Sequence, residues 1–314
     1  MFCIIAFVVL AIMGIFSTAE RELAREAFAC VMRRVTFRPC NVGFREKMEA
    51  RIVSGIMKRS IRGARIVAKN FELLSWIFFL LTVWSLVWTG QGVYNYFFYG
   101  SCNGLNASGF CVFDPTGSNN AISAVSSTTT CPVTAGPEGN TVTLTDVDTS
   151  LFPHRVYDSM SRDRVVFIGC YGCDYTRKAY PAIKRLVDEH AVDYTFAHFP
   201  IKDSYAYLTK IGMCAYAENP EKFWDFNDVL FSMNKEDLLI PEKVYAHASI
   251  LGFDIDRMKV CTNATSTDVL VQKQANELAK THLYGTPTLF INKQPIVGPK
   301  PYFVYRNLLW KWGR

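Results

Sequence analysis

Val165-Val166-Phe167-Ile168-Gly169-Cys170-Tyr171-Gly172-Cys173 is the stretch that decides the fold. The apolar run 165–169 predicts a buried strand, and residues 174–190 read as a helix. A Cys-x-x-Cys at a strand-to-helix junction makes a redox dithiol. Its sulfurs lie one helical turn apart, close enough to bond. The first sits at a helix N-terminus, where unpaired backbone N–H groups and the dipole favour a thiolate. Cys170 is therefore expected as the reachable, attacking sulfur and Cys173 as the buried, resolving one.

Two other readings of the motif compete. A structural disulfide needs only the pair. A zinc site needs two more ligands at similar spacing. No second Cys-x-x-Cys is present, and His154, His190, His198, His247 and His282 are scattered. The strand–Cys-x-x-Cys–helix context favours redox chemistry, with no metal.

Outward from the motif, charge and hydropathy divide the 314 residues. Residues 2–18 carry no charge, and neither do residues 73–113. Both apolar cores approach the ~17–25 residues of a spanning helix. Trp76, Trp84, Trp88, Tyr94, Tyr96 and Tyr99 suit a membrane–water boundary. Between them, residues 19–72 hold 13 Lys or Arg against 6 Asp or Glu, so the net charge of +6 comes from this one segment. A short basic loop between two spans stays in the cytoplasm. The expectation is a membrane anchor over residues 1–100, with spans at about 2–18 and 73–97. A basic cytoplasmic helical hairpin at 19–72 joins them, and both chain ends lie outside. A cleaved signal peptide ending near Ser17-Thr18-Ala19 is the alternative. It lacks a basic n-region and would put the dithiol in the cytosol.

Ten cysteines suit an extracytoplasmic protein, and seven follow the second span. Residues 101–150 are rich in Ser, Thr, Gly and Asn and read as a Cys-containing linker, with one short strand near 141–144. Cys102 and Cys111 flank a short polar loop and are expected to pair. Cys131 has no evident partner, and Cys30 and Cys40 fall in the cytoplasmic loop. Residues 151–314 read as one α/β domain. A strand at 193–197 is followed by a long helical stretch over about 204–283, with Asn219-Pro220 as an N-cap and first-turn proline. Strand character returns at 288–291, Asn292-Lys293 makes a hairpin turn, and a closing helix runs over 301–311.

Phe167-Ile168-Gly169-Cys170-Tyr171-Gly172-Cys173, the helical insertion, and Gly285-Thr286-Pro287-Thr288-Leu289-Phe290-Ile291-Asn292 together resemble the DsbA-like branch of the thioredoxin superfamily. Phe199-Pro200, Cys214 and Lys222-Phe223-Trp224 add to the likeness, which covers roughly residues 163–312 and leaves the apolar segments out. It implies a thioredoxin fold with a helical insertion, preceded here by the two-span hairpin. It implies a cis Pro287 facing the dithiol, with substrate chain pairing at Thr286 and passing Tyr171 and Gly172. It also implies a structural disulfide between Cys214 and Cys261, two buried thiols being the alternative. The Tyr171-Gly172 dipeptide departs from the Pro-His of strongly oxidising members, which points to a weaker oxidant.

The expected activity is membrane-tethered, extracytoplasmic thiol–disulfide exchange with protein substrates through Cys170 and Cys173, in the oxidising direction. No cofactor and no nucleic-acid partner are implied. The resemblance implies recharging by a quinone-linked membrane partner of the DsbB or vitamin K epoxide reductase kind. A disulfide reductase or isomerase is the enzymatic alternative. A membrane-bound Cu(I) metallochaperone using the same two thiols is the alternative from another class.

Overall fold

The computed structural model describes residues 53–58, 60–107, 109–124, 142–157 and 163–313, with single positions at 29 and 50. The expected first span, most of the basic hairpin, and Cys30, Cys40 and Cys131 lie outside the described residues.

The chain divides into two compact units, Met1–Gln91 and Gly92–Arg314. In the first, α1 (Ile61–Lys69) is capped by Ser60, whose hydroxyl accepts from the Gly63 N–H at 3.2 Å. A second helix, α2 (Phe71–Tyr99), has 29 residues, of which 92–99 belong to the second unit. Leu80, Leu81, Trp84, Leu86, Val87 and Trp88 on it are exposed. Among the described residues no helix is long and apolar enough to cross a membrane.

The second unit is built on a five-stranded sheet. Its strands are β2 (His154–Arg155), β3 (Arg164–Gly169), β4 (Asp193–His198), β6 (Thr288–Ile291) and β7 (Gln294–Val297), in the order β2-β4-β3-β6-β7. β3 and β4 are parallel, and the other pairs are antiparallel. β3 is flanked on both edges, so residues 165–169 are all buried. That is why its sequence is a continuous apolar run rather than an alternating one. Between β3 and β4 runs α3 (Asp174–His190), which buries Ala179, Ile183, Leu186 and Val187. The tight turn after β6 places Asn292 and Lys293 at φ 47° and 75°. Asn292 suits that conformation, and its side chain also accepts from the Arg164 N–H at 2.8 Å and donates to the Trp312 carbonyl at 2.8 Å.

Five helices are inserted between β4 and the last strands: α4 (Tyr207–Glu218), α5 (Pro220–Ser232), α6 (Pro241–Ile250), α7 (Ile255–Thr262) and α8 (Thr265–Ala279). Asn219 caps α5, its Oδ1 accepting from the Glu221 and Lys222 N–H groups. Phe223, Phe226 and Leu230 on α5 enter the same core as Phe167 and Phe196 of the sheet. A disulfide joins Cys214 of α4 to Cys261 of α7 across 47 residues. A closed loop of that length removes enough chain entropy from the unfolded state to stabilise the domain by about 4 kcal/mol. Replacing both cysteines by alanine is expected to lower unfolding free energy by about that amount in urea titration. Exchange activity at 25 °C should survive.

The chain closes with α9 (Tyr302–Trp312), which packs on α3 and β6. Phe303 of α9 meets Tyr96 and Phe97, the Asn307 amide donates to the Phe97 carbonyl at 2.9 Å, and Lys311 Nζ donates to the Tyr99 hydroxyl at 2.7 Å.

Residues 101–124, read from composition as part of a linker, belong to this second unit. Cys102 and Cys111 are disulfide-bonded there. Asn106 stitches the segment to β7: its Nδ2 donates to the Pro295 carbonyl at 3.0 Å and its Oδ1 accepts from the Val297 N–H at 2.7 Å. Residues 142–144 are not a strand, although the Thr143 N–H donates to the Thr281 carbonyl at 3.0 Å. Two further short strands, β1 (Ser123–Ala124) and β5 (Gly285–Thr286), pair only with each other, antiparallel.

Candidate active site

The dithiol sits where β3 ends and α3 begins. Cys173 is the N-cap of α3, and its N–H donates to the Cys170 carbonyl at 3.2 Å, closing a tight turn. The Cys170 N–H donates to the Thr176 hydroxyl at 3.4 Å. Both thiols are free and hydrogen-bonded to each other.

Cys170 does not meet the expectation of a reachable thiolate. It is 0% exposed, and Cys173 is 7% exposed. The helix starts one residue after Cys173, so Cys173 and not Cys170 takes the N-cap. The hydrogen bond to Cys173, together with burial, pushes the Cys170 thiol well above the usual range, against N–H groups of Ile201 and Gly172 that oppose this. Cys173 is pushed down, first by the Cys170 thiol, then by the hydroxyls of Ser123 and Thr286 and the charge of Lys202. Of the two thiols, Cys173 is therefore the one that gives up its proton more readily.

Thr286 lies in β5 and precedes a cis peptide bond to Pro287. Its hydroxyl is buried, and apart from the Cys173 sulfur it has no partner among the described residues. The structure thus brings together Cys170, Cys173, Thr286 and Pro287. Gly172 faces Tyr205: a Cβ at position 172 would come within 2.3 Å of that ring. Tyr171 turns inward instead of toward solvent and is 1% exposed, so it offers a substrate no surface in this conformation. Its hydroxyl donates to Asn227 Oδ1 at 2.8 Å, the Asn227 amide donates to the Tyr180 hydroxyl at 2.8 Å, and Tyr180 donates to Asp228. Cys214 and Cys261 lie in the insertion, and Cys102 and Cys111 lie in the segment before β1.

Sequence reasoning missed Ser123, Tyr205, Lys202 and His198. The first three carry no motif. His198 ends β4 beside Gly169 and stacks on Tyr171 at 4.4 Å. Its Nδ1 meets the Thr209 hydroxyl at 2.8 Å, while Nε2 is buried without a partner among the described residues. Burial pushes its pKa down to about 3. A base held neutral in the folded state but free to protonate when unfolded makes the unfolded chain bind more protons between pH 6.5 and 3. Stability is then full above pH 6.5 and falls by roughly 1.4 kcal/mol per unit as pH drops through that window. His198→Phe, which keeps a ring against Tyr171, is expected to flatten the slope in urea midpoints measured from pH 7 to 4. An unchanged slope would assign acid sensitivity elsewhere.

Among the described residues no three His, Cys, Asp or Glu side chains come together to hold a metal ion. Among curated proteins none matches the sequence. In shape, the chain is similar to the crystal structure of BdbD from Bacillus subtilis, at 18% identity and TM-score 0.46, covering 55% of this chain and 96% of that one. It is also similar to alpha-DsbA2 from Wolbachia pipientis at 21% identity and TM-score 0.44, covering 51% and 86%. Alpha-DsbA1 from the same organism matches at 20% identity and TM-score 0.43, covering 51% and 90%. Residues 166–309 match the family described as Thioredoxin (Thioredoxin_4). This thioredoxin-like stretch holds a free dithiol at a strand-to-helix junction and a cis proline after Thr286.

Proposed function

We propose that the chain is a membrane-tethered, extracytoplasmic oxidoreductase that exchanges a Cys170–Cys173 disulfide with protein substrates, oxidising their thiols. The observation that carries this is a free Cys170–Cys173 dithiol at the start of α3, with Thr286 and the cis Pro287 beside it. In the oxidising direction a substrate thiolate attacks the Cys170 sulfur of the disulfide. The Cys170–Cys173 bond breaks, and Cys173 leaves with the electron pair. A leaving thiol of lowered pKa leaves faster. A second substrate thiolate then attacks the substrate sulfur of the mixed disulfide. Cys170 is released and the dithiol takes up the protons. The substrate gains one disulfide, and a quinone-linked membrane partner of the DsbB or vitamin K epoxide reductase kind must reoxidise the pair. Substrate chain would pair along the Thr286 edge, as extended peptides do on open strands.

Two further disulfides in the chain support an oxidising compartment. The charge-free residues 73–113 and the basic residues 19–72 support a membrane tether with the domain outside. Alkylation trapping in cells tests the direction: a mostly oxidised Cys170–Cys173 pair fits an oxidase, and a mostly reduced pair fits the reductase or isomerase reading. Cys173→Ala separates exchange from Cu(I) carriage. Exchange leaves mixed disulfides on Cys170, whereas a metal carrier loses metal and forms no protein adducts.

A further inference from the structure

We propose that residues 122–124 are a built-in occupant of the polypeptide-docking edge at Thr286, closing the dithiol until a substrate chain displaces them. This rests on the reading of that edge as the substrate site.

The occupant is placed as a bound strand would be. Ser123 pairs with Thr286 and Ala124 with Gly285, antiparallel, immediately before the cis proline. The fit is close: a Cβ on Gly285 would lie 2.8 Å from both the Ser123 carbonyl oxygen and the Ile122 side chain. The Ser123 hydroxyl reaches the Cys173 sulfur. The β1–β5 ladder lies outside the five-stranded sheet.

Residues 119 and 120, which lead into the occupant, are anchored by side chains. Lys300, 3% exposed, donates from Nζ to the Asn119 carbonyl at 2.8 Å and to Asn120 Oδ1. The Asn120 amide donates to the Ala107 carbonyl at 2.9 Å, and the Asn119 amide donates to the Gly100 carbonyl at 3.0 Å. Asp114 accepts from the Ser118 and Asn119 N–H groups at 3.0 and 2.9 Å. Beyond Asn120, the ladder to β5 is two residues long. So short a ladder opens far more readily than the sheet behind it. A longer substrate strand can offer the same backbone partners and more. The occupant, tethered at an effective concentration in the millimolar range, still suppresses weak or non-extended competitors. Its Ser123 hydroxyl is also among the groups that push the Cys173 thiol down.

The test compares the full chain with an Ile122→Asp/Ala124→Pro variant, which adds a charge and removes a backbone donor at the tip. Two readouts are taken: alkylation of the Cys170–Cys173 dithiol by iodoacetamide, and exchange with a disulfide-bonded peptide. Both are expected to speed up by about tenfold or more in the variant. Equal alkylation rates in two folded proteins overturn the proposal. Faster alkylation with no exchange in either protein upholds the closure and sinks the docking and exchange reading instead. Should the variant fail to fold, the wild type decides. Alkylation protection of the dithiol should equal hydrogen-exchange protection at residues 122–124 and fall well below that of β3. Protection that matches β3 overturns the proposal.

Discussion

Cys170→Ser is expected to bring peptide disulfide exchange down to the uncatalysed rate while leaving the fold in place. The hydroxyl is close to the thiol in size, and the site is fully buried in this conformation, so little packing is lost. An alkoxide is not available at neutral pH, and no S–S bond can form at that position. Insulin or peptide reduction followed by absorbance measures it, with urea midpoint as the control for folding. Residual exchange above background would mean that Cys173 alone carries turnover. That outcome has a physical route, because Cys173 is the less buried sulfur and the one whose thiol is pushed down. Cys173→Ala behaves differently. It leaves Cys170 able to attack a substrate disulfide but removes the internal thiol that would resolve the adduct, so mixed disulfides accumulate on Cys170.

Asn227→Ala is expected to cost about 3 kcal/mol of stability. Asn227 is 0% exposed and bridges the Tyr171 and Tyr180 hydroxyls. Tyr180 keeps Asp228 after the change, but the Tyr171 hydroxyl is left buried with nothing to donate to. An orphaned buried hydroxyl costs about 1–3 kcal/mol, and the lost side-chain volume adds to it. Since Tyr171 lies between the two cysteines, the loss should also loosen the dithiol turn and raise its alkylation rate. Adding Tyr171→Phe to Asn227→Ala removes the stranded group, so the double variant should be more stable than the sum of the singles. A strictly additive cycle would contradict the bridge.

Much of the fold could be read from the sequence where periodicity or a rigid residue type spoke. The run 165–169 read as a buried strand because it is buried, flanked on both edges by β4 and β6. Asn219-Pro220 gave the start of α5 because cap chemistry is local. Thr286-Pro287 was read through resemblance. What escaped was non-local. Ser123 and Ala124 sit in a polar stretch with no alternation, and a two-residue ladder leaves no pattern to detect. Their partner, Thr286, lies at the far end of the domain sequence. The burial of Cys170 followed the same logic. A strand–Cys-x-x-Cys–helix junction gives the location of a sulfur but not what packs on it, and the residues clustered with Cys170, among them Leu144, Phe199 and Leu283, come from elsewhere in the chain. Tyr171 was read as substrate-facing from its place in the motif. The partner that turns it inward, Asn227, sits in the helical insertion.

The distance between Ser123 and Thr286 along the chain has a further consequence for how a molecule matures. Contacts between remote segments form late, because a large loop must be closed before they return any energy. During synthesis Cys170 and Cys173 emerge long before residue 286 exists, so each new molecule passes through an interval with an uncovered dithiol. Under the closure proposed above, shielding arrives only with the last strands. Quiet sulfurs are then the signature of a finished molecule, and a newborn one would be distinguishable from an adult by its thiol reactivity alone.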